Sequence, residues 1–129
     1  MTPYGLPQLL WVGVGGFLGS VGRFVVAGFF NRLSPALAFP IGTLAVNILG
    51  CFLIGLLHGL AESRNILGTD IRIFLFIGVL GGFTTYSTFG FESLALLKDG
   101  EFFKTSANIL LHVIVGLSAV WIGDTLGRL

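Results

Sequence analysis

The chain has 129 residues, 54% hydrophobic and only 10% charged, with seven Lys/Arg against six Asp/Glu and 20 glycines. Soluble domains carry about 25% charged residues, so this composition belongs in lipid, where glycine lets helices approach closely. It disfavours a soluble enzyme, a disulfide-stapled secreted domain and a nucleic-acid binder: the charges form no basic patch, and Cys51 is the single cysteine. Cys51 reads as a small core residue in an apolar stretch, without a metal-ligand cluster around it. No basic segment leading into a small-residue cleavage site opens the chain, so no cleaved signal peptide is expected.

Four apolar runs are long enough to cross a bilayer, at about 8–30, 41–61, 71–97 and 102–125. They leave only short loops, so the expectation is one all-α membrane domain over 1–129. The first run is interrupted by Gly13, Gly15, Gly16, Gly19 and Gly22, and Gly15-xxx-Gly19 is a close-packing pattern. Arg23 lies in its last third and has two readings: snorkelling to the headgroups, or forming the cationic wall of a vestibule that gathers anions. A loop with Pro35 and Pro40 leads to the second run, where Thr43 and Asn47 share a face. An asparagine at that depth needs partners. It serves either as glue between helices or as an N–H donor to an anion. His58, near the far end, reads as an interfacial residue.

A charged loop carrying Glu62, Arg64, Asp70 and Arg72 precedes the third run. The centre of that run reads Gly81-Gly82-Phe83-Thr84-Thr85-Tyr86-Ser87-Thr88-Phe89. Paired glycines followed by hydroxyl residues weaken a helix, and about ten residues on either side put the interruption near mid-membrane. One reading is a broken helix whose freed carbonyls become ion ligands. The other is a continuous, glycine-packed helix with its hydroxyls bonded back to the preceding turn. Glu92 follows two turns later, either as a proton-carrying carboxylate or as half of an ion pair with an arginine. In the fourth run Asn108, His112 and Gly116 are spaced by four, a polar stripe that should face protein or water. His112 has no Cys or carboxylate at ligand spacing, which argues against a metal role.

Four spans place Arg64, Arg72 and Arg128 on one side and Arg23, Arg32, Lys98 and Lys104 on the other. Orientation follows Lys/Arg asymmetry, and three against four supplies almost none. Such a chain can insert either way round, and two opposed copies would make an antiparallel pair.

The glycine-threonine stretch from Gly81 to Phe89 resembles the signature of the fluoride channels, the Fluc (CrcB) family. The stretch Gly42 to Asn47 and Gly19-xxx-Arg23 are similar to the same pattern, and the likeness covers essentially the whole chain. The resemblance implies an antiparallel dual-topology homodimer of four-span subunits, with the third helix broken at mid-membrane and fluoride pathways near the subunit interface. It also implies a central structural sodium ion held by backbone carbonyls that map onto Gly81 and Thr84. The pore aromatics map onto Tyr86 and Phe89, whose ring edges can face a small anion. Tyr86 departs from the phenylalanine usual there. Asn47 maps onto the pore asparagine, with Thr43 one turn away; Ser87 and Thr88 follow the motif and line the path. Glu92, Arg23 and the track of Asn108 and His112 match positions linked to the anion pathway, while Gly116 replaces a serine.

The function so implied is passive, fluoride-selective export across the cell (inner or plasma) membrane, conferring fluoride resistance and needing no nucleotide site. An inside-negative potential would drive the anion out, at about 2.3 kcal/mol per charge per 100 mV. The alternative is a proton-coupled exporter like the small multidrug transporters, but those need a carboxylate in the first span, where the only charge is Arg23. A non-transporting scaffold is a third reading. An intramembrane enzyme is a weak fourth, since no nucleophile–base or metal constellation is legible.

Overall fold

Four helical stretches, each long and apolar enough to cross a membrane, carry almost the whole chain: Leu6–Leu33, Ile41–Arg64, Thr69–Lys98 and Phe102–Gly127. The computed structural model describes residues 4–33 and 35–129, and among these there is no strand. The helices are α1 (Leu6–Leu33), α2 (Ile41–Arg64), α3 (69–83), α4 (Tyr86–Lys98) and α5 (Phe102–Gly127). The inter-span loop expected from Asn31 to Pro40 includes Ser34, which lies outside the described residues. α1 itself runs on to Leu33, and Pro35–Leu37 forms a single 3₁₀ turn.

The joints follow local chemistry. Asn31, in the last turns of α1, accepts the Gly42 N–H through Oδ1 at 2.9 Å, satisfying one of the unpaired donors that open α2. Asn65 closes α2 in the left-handed region at φ 48°, which asparagine tolerates. Gly100, at φ 76°, makes the turn between α4 and α5, where a side chain would be strained. α3 and α5 both widen to π-helical turns, over Ile73–Leu80 and Leu111–Val115. Such turns re-aim the side chains that follow and are frequent at functional sites.

Glycine decides which helices touch. A Cβ on Gly15 of α1 would lie 2.7 Å from Phe74 O, and one on Gly82 of α3 would lie 2.6 Å from Gly16 O. On the other side, α2 and α5 run side by side. Cβ atoms on Gly55 and Gly59 would strike Val120 O and Asp124 O, and those on Gly123 and Gly127 would strike Phe52 O and Leu56 O. Backbones in direct contact leave few large side chains between helices. Among the described residues the buried apolar ones are Val46, Ala61, Leu80 and Ala119, whereas Phe24, Phe103 and Trp121 point outward. An outward apolar surface suits a chain whose solvent is lipid. The α2 and α5 ends are further tied by His58, whose Nδ1 meets Asp124 Oδ1 at 2.7 Å. Arg128 donates to the same carboxylate at 2.8 Å and 3.2 Å. His58 is thus exposed, as an interfacial residue would be, and also paired.

Candidate functional site

Between α3 and α4 the backbone of Thr84 and Thr85 is extended, at φ −83°, ψ 159° and φ −150°, ψ 113°. The hydrogen bonds around it are redistributed. In an uninterrupted helix the Thr85 N–H would close onto Gly81 O, but it donates to Asn47 Oδ1 at 2.8 Å. The Thr88 N–H would likewise close onto Thr84 O, but Thr85 Oγ1 accepts it at 3.3 Å as the N-cap of α4. The carbonyl oxygens of Gly81 and Thr84 are therefore both deprived of their helical partners. Arg23 Nη1 makes a long 3.5 Å contact with Thr84 O, and the Ser20 hydroxyl makes one with Gly82 O at 3.5 Å. Thr84 also bonds back, its hydroxyl donating to Leu80 O at 3.0 Å.

Asn47 holds this joint from α2. Besides accepting from Thr85 N–H, its Nδ2 donates to Thr85 O at 3.0 Å, so one side chain satisfies both backbone groups of a residue 38 positions away. That is the interhelical bond open to an asparagine in a span, and it leaves the second Nδ2 hydrogen free to donate. Gly50, one turn on, has no Cβ because Thr84 Cγ2 occupies its place. Thr85, buried, is the residue that sequence reasoning passed over. Its signal was a hydroxyl three positions before Thr88, the spacing of an N-cap.

An open groove of about 380 Å³ runs along this joint, and Asn47, Gly81, Thr84, Tyr86, Phe89 and His112 line it. Tyr86 is 84% exposed and tilts against Phe89, with ring centroids 5.7 Å apart. Phe89 in turn lies 4.3 Å from the His112 ring. Ser87 and Thr88 do not line the groove. They gather around the Thr85 hydroxyl, at 3.4 Å and 3.0 Å. Arg23 does not line the groove and reaches only Thr84 O beside it.

A second polar group adjoins the groove through His112. Thr43, buried, donates to Glu92 Oε1 at 2.7 Å. The arginine partner considered for Glu92 is absent among the described residues, because every arginine that forms an ion pair there pairs with Glu62 or Asp124. A hydroxyl from α2 takes that place. Asn108, fully buried, donates to Ser93 Oγ at 3.0 Å, and Ser93 donates to Phe89 O at 2.8 Å. His112 Nδ1 bonds Asn108 O at 2.9 Å. Gly116 is buried, and a Cβ there would lie 3.5 Å from Cys51 Sγ, so the thiol borders the position. Glu92 Oε2, Asn108 Oδ1 and His112 Nε2 are buried with no hydrogen-bond partner among the described residues. Ser93, which joins α4 to α5, left no sequence signal beyond its place after Glu92.

Carbonyls without helical partners, a free amide hydrogen and aromatic edges along one groove offer ligands of both signs, oxygens for a cation and N–H or ring edges for an anion. The sequence model of the family described as "CrcB-like protein, Camphor Resistance (CrcB)" matches residues 10–124. The chain belongs to this family. Among its relatives is a protein named "Fluoride-specific ion channel FluC" from Methylobacillus flagellatus, 42% identical over 122 residues, 95% of either chain. A protein of the same name from Geobacter sulfurreducens is 46% identical over 123 residues, 95% of this chain and 98% of the relative. One from Campylobacter lari is 45% identical over 115 residues, 89% of this chain and 93% of the relative. As a CrcB-family chain with four membrane-spanning helices, it is a multi-pass membrane protein.

Proposed function

We propose that the protein is a fluoride-selective passive channel of the cell membrane, not an enzyme, which exports cytoplasmic fluoride and so confers fluoride resistance. Membership of the CrcB family and relatives named fluoride-specific ion channels over nearly their full length support this reading. The single structural observation that carries it is the groove in which Asn47 keeps one amide hydrogen uncommitted beside the Tyr86 and Phe89 rings. Fluoride that sheds water there meets an N–H donor and positive ring edges. Tyr86, Phe89 and Asn47 form the core of the path. Thr43, Glu92, Asn108 and His112 extend it, Ser87 and Thr88 support it through the Thr85 hydroxyl, and Arg23 draws anions toward its mouth.

In this reading the 129 residues form one unit whose third span is broken at mid-membrane, and two copies assemble as an antiparallel homodimer. The exposed aromatic Tyr86 and the open groove favour a second copy over a lone subunit, and the near-equal Lys/Arg count permits opposed insertion. Sodium fits the joint. Hard cations take oxygen ligands, and the Gly81 and Thr84 carbonyls are those whose helical partners are diverted to Asn47 and Thr85. Two oxygens from one chain are too few to enclose a cation, so the site would be completed by the same pair from the second copy. There the ion would be structural, holding the two joints together.

Efflux from liposomes tests the function directly. Vesicles containing purified protein are loaded with fluoride or chloride, and valinomycin clamps the potential. Rapid fluoride loss with chloride retained is the expected result. Retention of both anions by folded protein would reject the channel and leave the exporter and scaffold readings.

A further inference from the structure

We propose that His112 is a proton-conditional fluoride ligand: only its doubly protonated ring offers an N–H to the anion, so passage along this groove depends on a proton at that side chain. The proposal rests on the channel reading and adds a requirement to it.

His112 Nδ1 lies 2.9 Å from Asn108 O. A carbonyl oxygen can only accept, so the hydrogen of this bond sits on Nδ1. A neutral imidazole has one N–H, and Nε2 is then a bare lone pair. Nε2 is shut away from solvent and has no partner among the described residues. A lone pair repels an anion, whereas an N–H of a charged ring attracts it through a charge-assisted hydrogen bond. Protonation keeps the bond to Asn108 and converts Nε2 from acceptor to donor. Hydrofluoric acid reaching the neutral ring arrives at the same adduct: the H–F bond breaks, an Nε2–H bond forms, and fluoride remains hydrogen-bonded to the imidazolium.

The position suits the role. The His112 ring lies against Phe89, with centroids 4.3 Å apart and planes inclined by 38°, and it lines the groove with Asn47 and Tyr86. Few other groups titrate nearby. α2 contributes Cys51 and α4 contributes Tyr86 to the groove, while α3 has no ionisable residue from Ile73 to Phe83. Glu92, one turn beyond Phe89, is held by Thr43, and Arg23 of α1 reaches Thr84. His58, the other histidine, pairs with Asp124 at the ends of α2 and α5.

Fluoride efflux is measured at equal internal and external pH from about 5 to about 8, the range over which histidine changes charge, with leak from protein-free vesicles subtracted. Wild-type flux should fall as pH rises, by up to about tenfold per unit, the slope of a single proton. His112→Gln carries an N–H at every pH, and its profile should be flat. His58→Gln should keep the wild-type slope. A flat wild-type profile, or the same slope in His112→Gln, overturns the proposal. Should His112→Gln fail to assemble, ring ¹⁵N signals of the His58→Gln protein report on His112 alone. Fluoride should move their titration midpoint to higher pH and chloride should not, by reciprocal linkage; equal midpoints overturn the idea. Fluoride flux with no pH dependence removes the proton alone, whereas no flux at any pH removes the channel reading and this proposal with it.

Discussion

Asn47 spends most of its amide on the backbone of Thr85, so its replacement separates holding from conducting. Asn47→Ala leaves the Thr85 N–H and C=O unpaired, a loss of about 1–3 kcal/mol that a lowered unfolding midpoint would register. Asn47→Asp keeps the acceptor for the N–H but has no amide hydrogen for an anion. Both variants should lose most fluoride efflux, Asn47→Ala with the larger stability loss. Normal flux in either would remove the donor role. Gly116→Ser is the contrasting case. Its Cβ meets Cys51 Sγ at an ordinary 3.5 Å, and serine is about 0.5 kcal/mol better than glycine in a helix. The variant should assemble normally with an unchanged or raised unfolding midpoint. These residues also mark what the sequence could reveal. The polar types in apolar runs announced themselves, but their pairings did not. Asn47 with Thr85 and Ser93 with Asn108 join residues 38 and 15 apart, and spacing along one helix names a face without naming its partner.

At the scale of the helices, run length made four spans legible because a bilayer of fixed thickness demands it. Which helices would touch was harder to read. Gly15-xxx-Gly19 stood out, yet the closest approach of α2 to α5 depends on Gly55, Gly59, Gly123 and Gly127, scattered through runs that look merely apolar. The widened turns at Ile73–Leu80 and Leu111–Val115 left no composition signal either. Gly55→Leu drives a side chain into the Val120 backbone and should destabilise the subunit by about 3 kcal/mol or more, read as loss of folded protein in detergent. Gly28→Ala meets nothing within 4 Å in the subunit and should be neutral or gain up to about 1 kcal/mol. Equal effects from the two would mean that helix propensity, not contact, governs these positions.

For the whole molecule, the proposed assembly makes two predictions. Replacing sodium with a bulky organic cation should lower the thermal midpoint of the dimer while leaving subunit helicity intact, checked by size exclusion and circular dichroism. An unchanged midpoint would argue that the Gly81 and Thr84 carbonyls hold no ion. Three against four basic residues is also a balance that small changes tip. Adding two or three lysines to the loop at Asn65–Gly68 should fix one insertion direction, and such a variant should transport only beside a partner biased the other way. Full activity on its own would rule out opposed copies.

The backbone-to-backbone contacts of α1 with α3 and of α2 with α5 bear also on how fast such a protein can work. Domain shear needs a layer of side chains that can slide, and main-chain atoms already in contact offer none. Rocking on the microsecond-to-millisecond scale is thereby disfavoured, while rotation of Tyr86, Phe89 or His112 within a stationary frame is a motion of picoseconds to nanoseconds where the ring is free. Throughput should therefore depend weakly on temperature, with a coefficient closer to that of an ion diffusing in water than to that of a carrier that must change shape at every cycle.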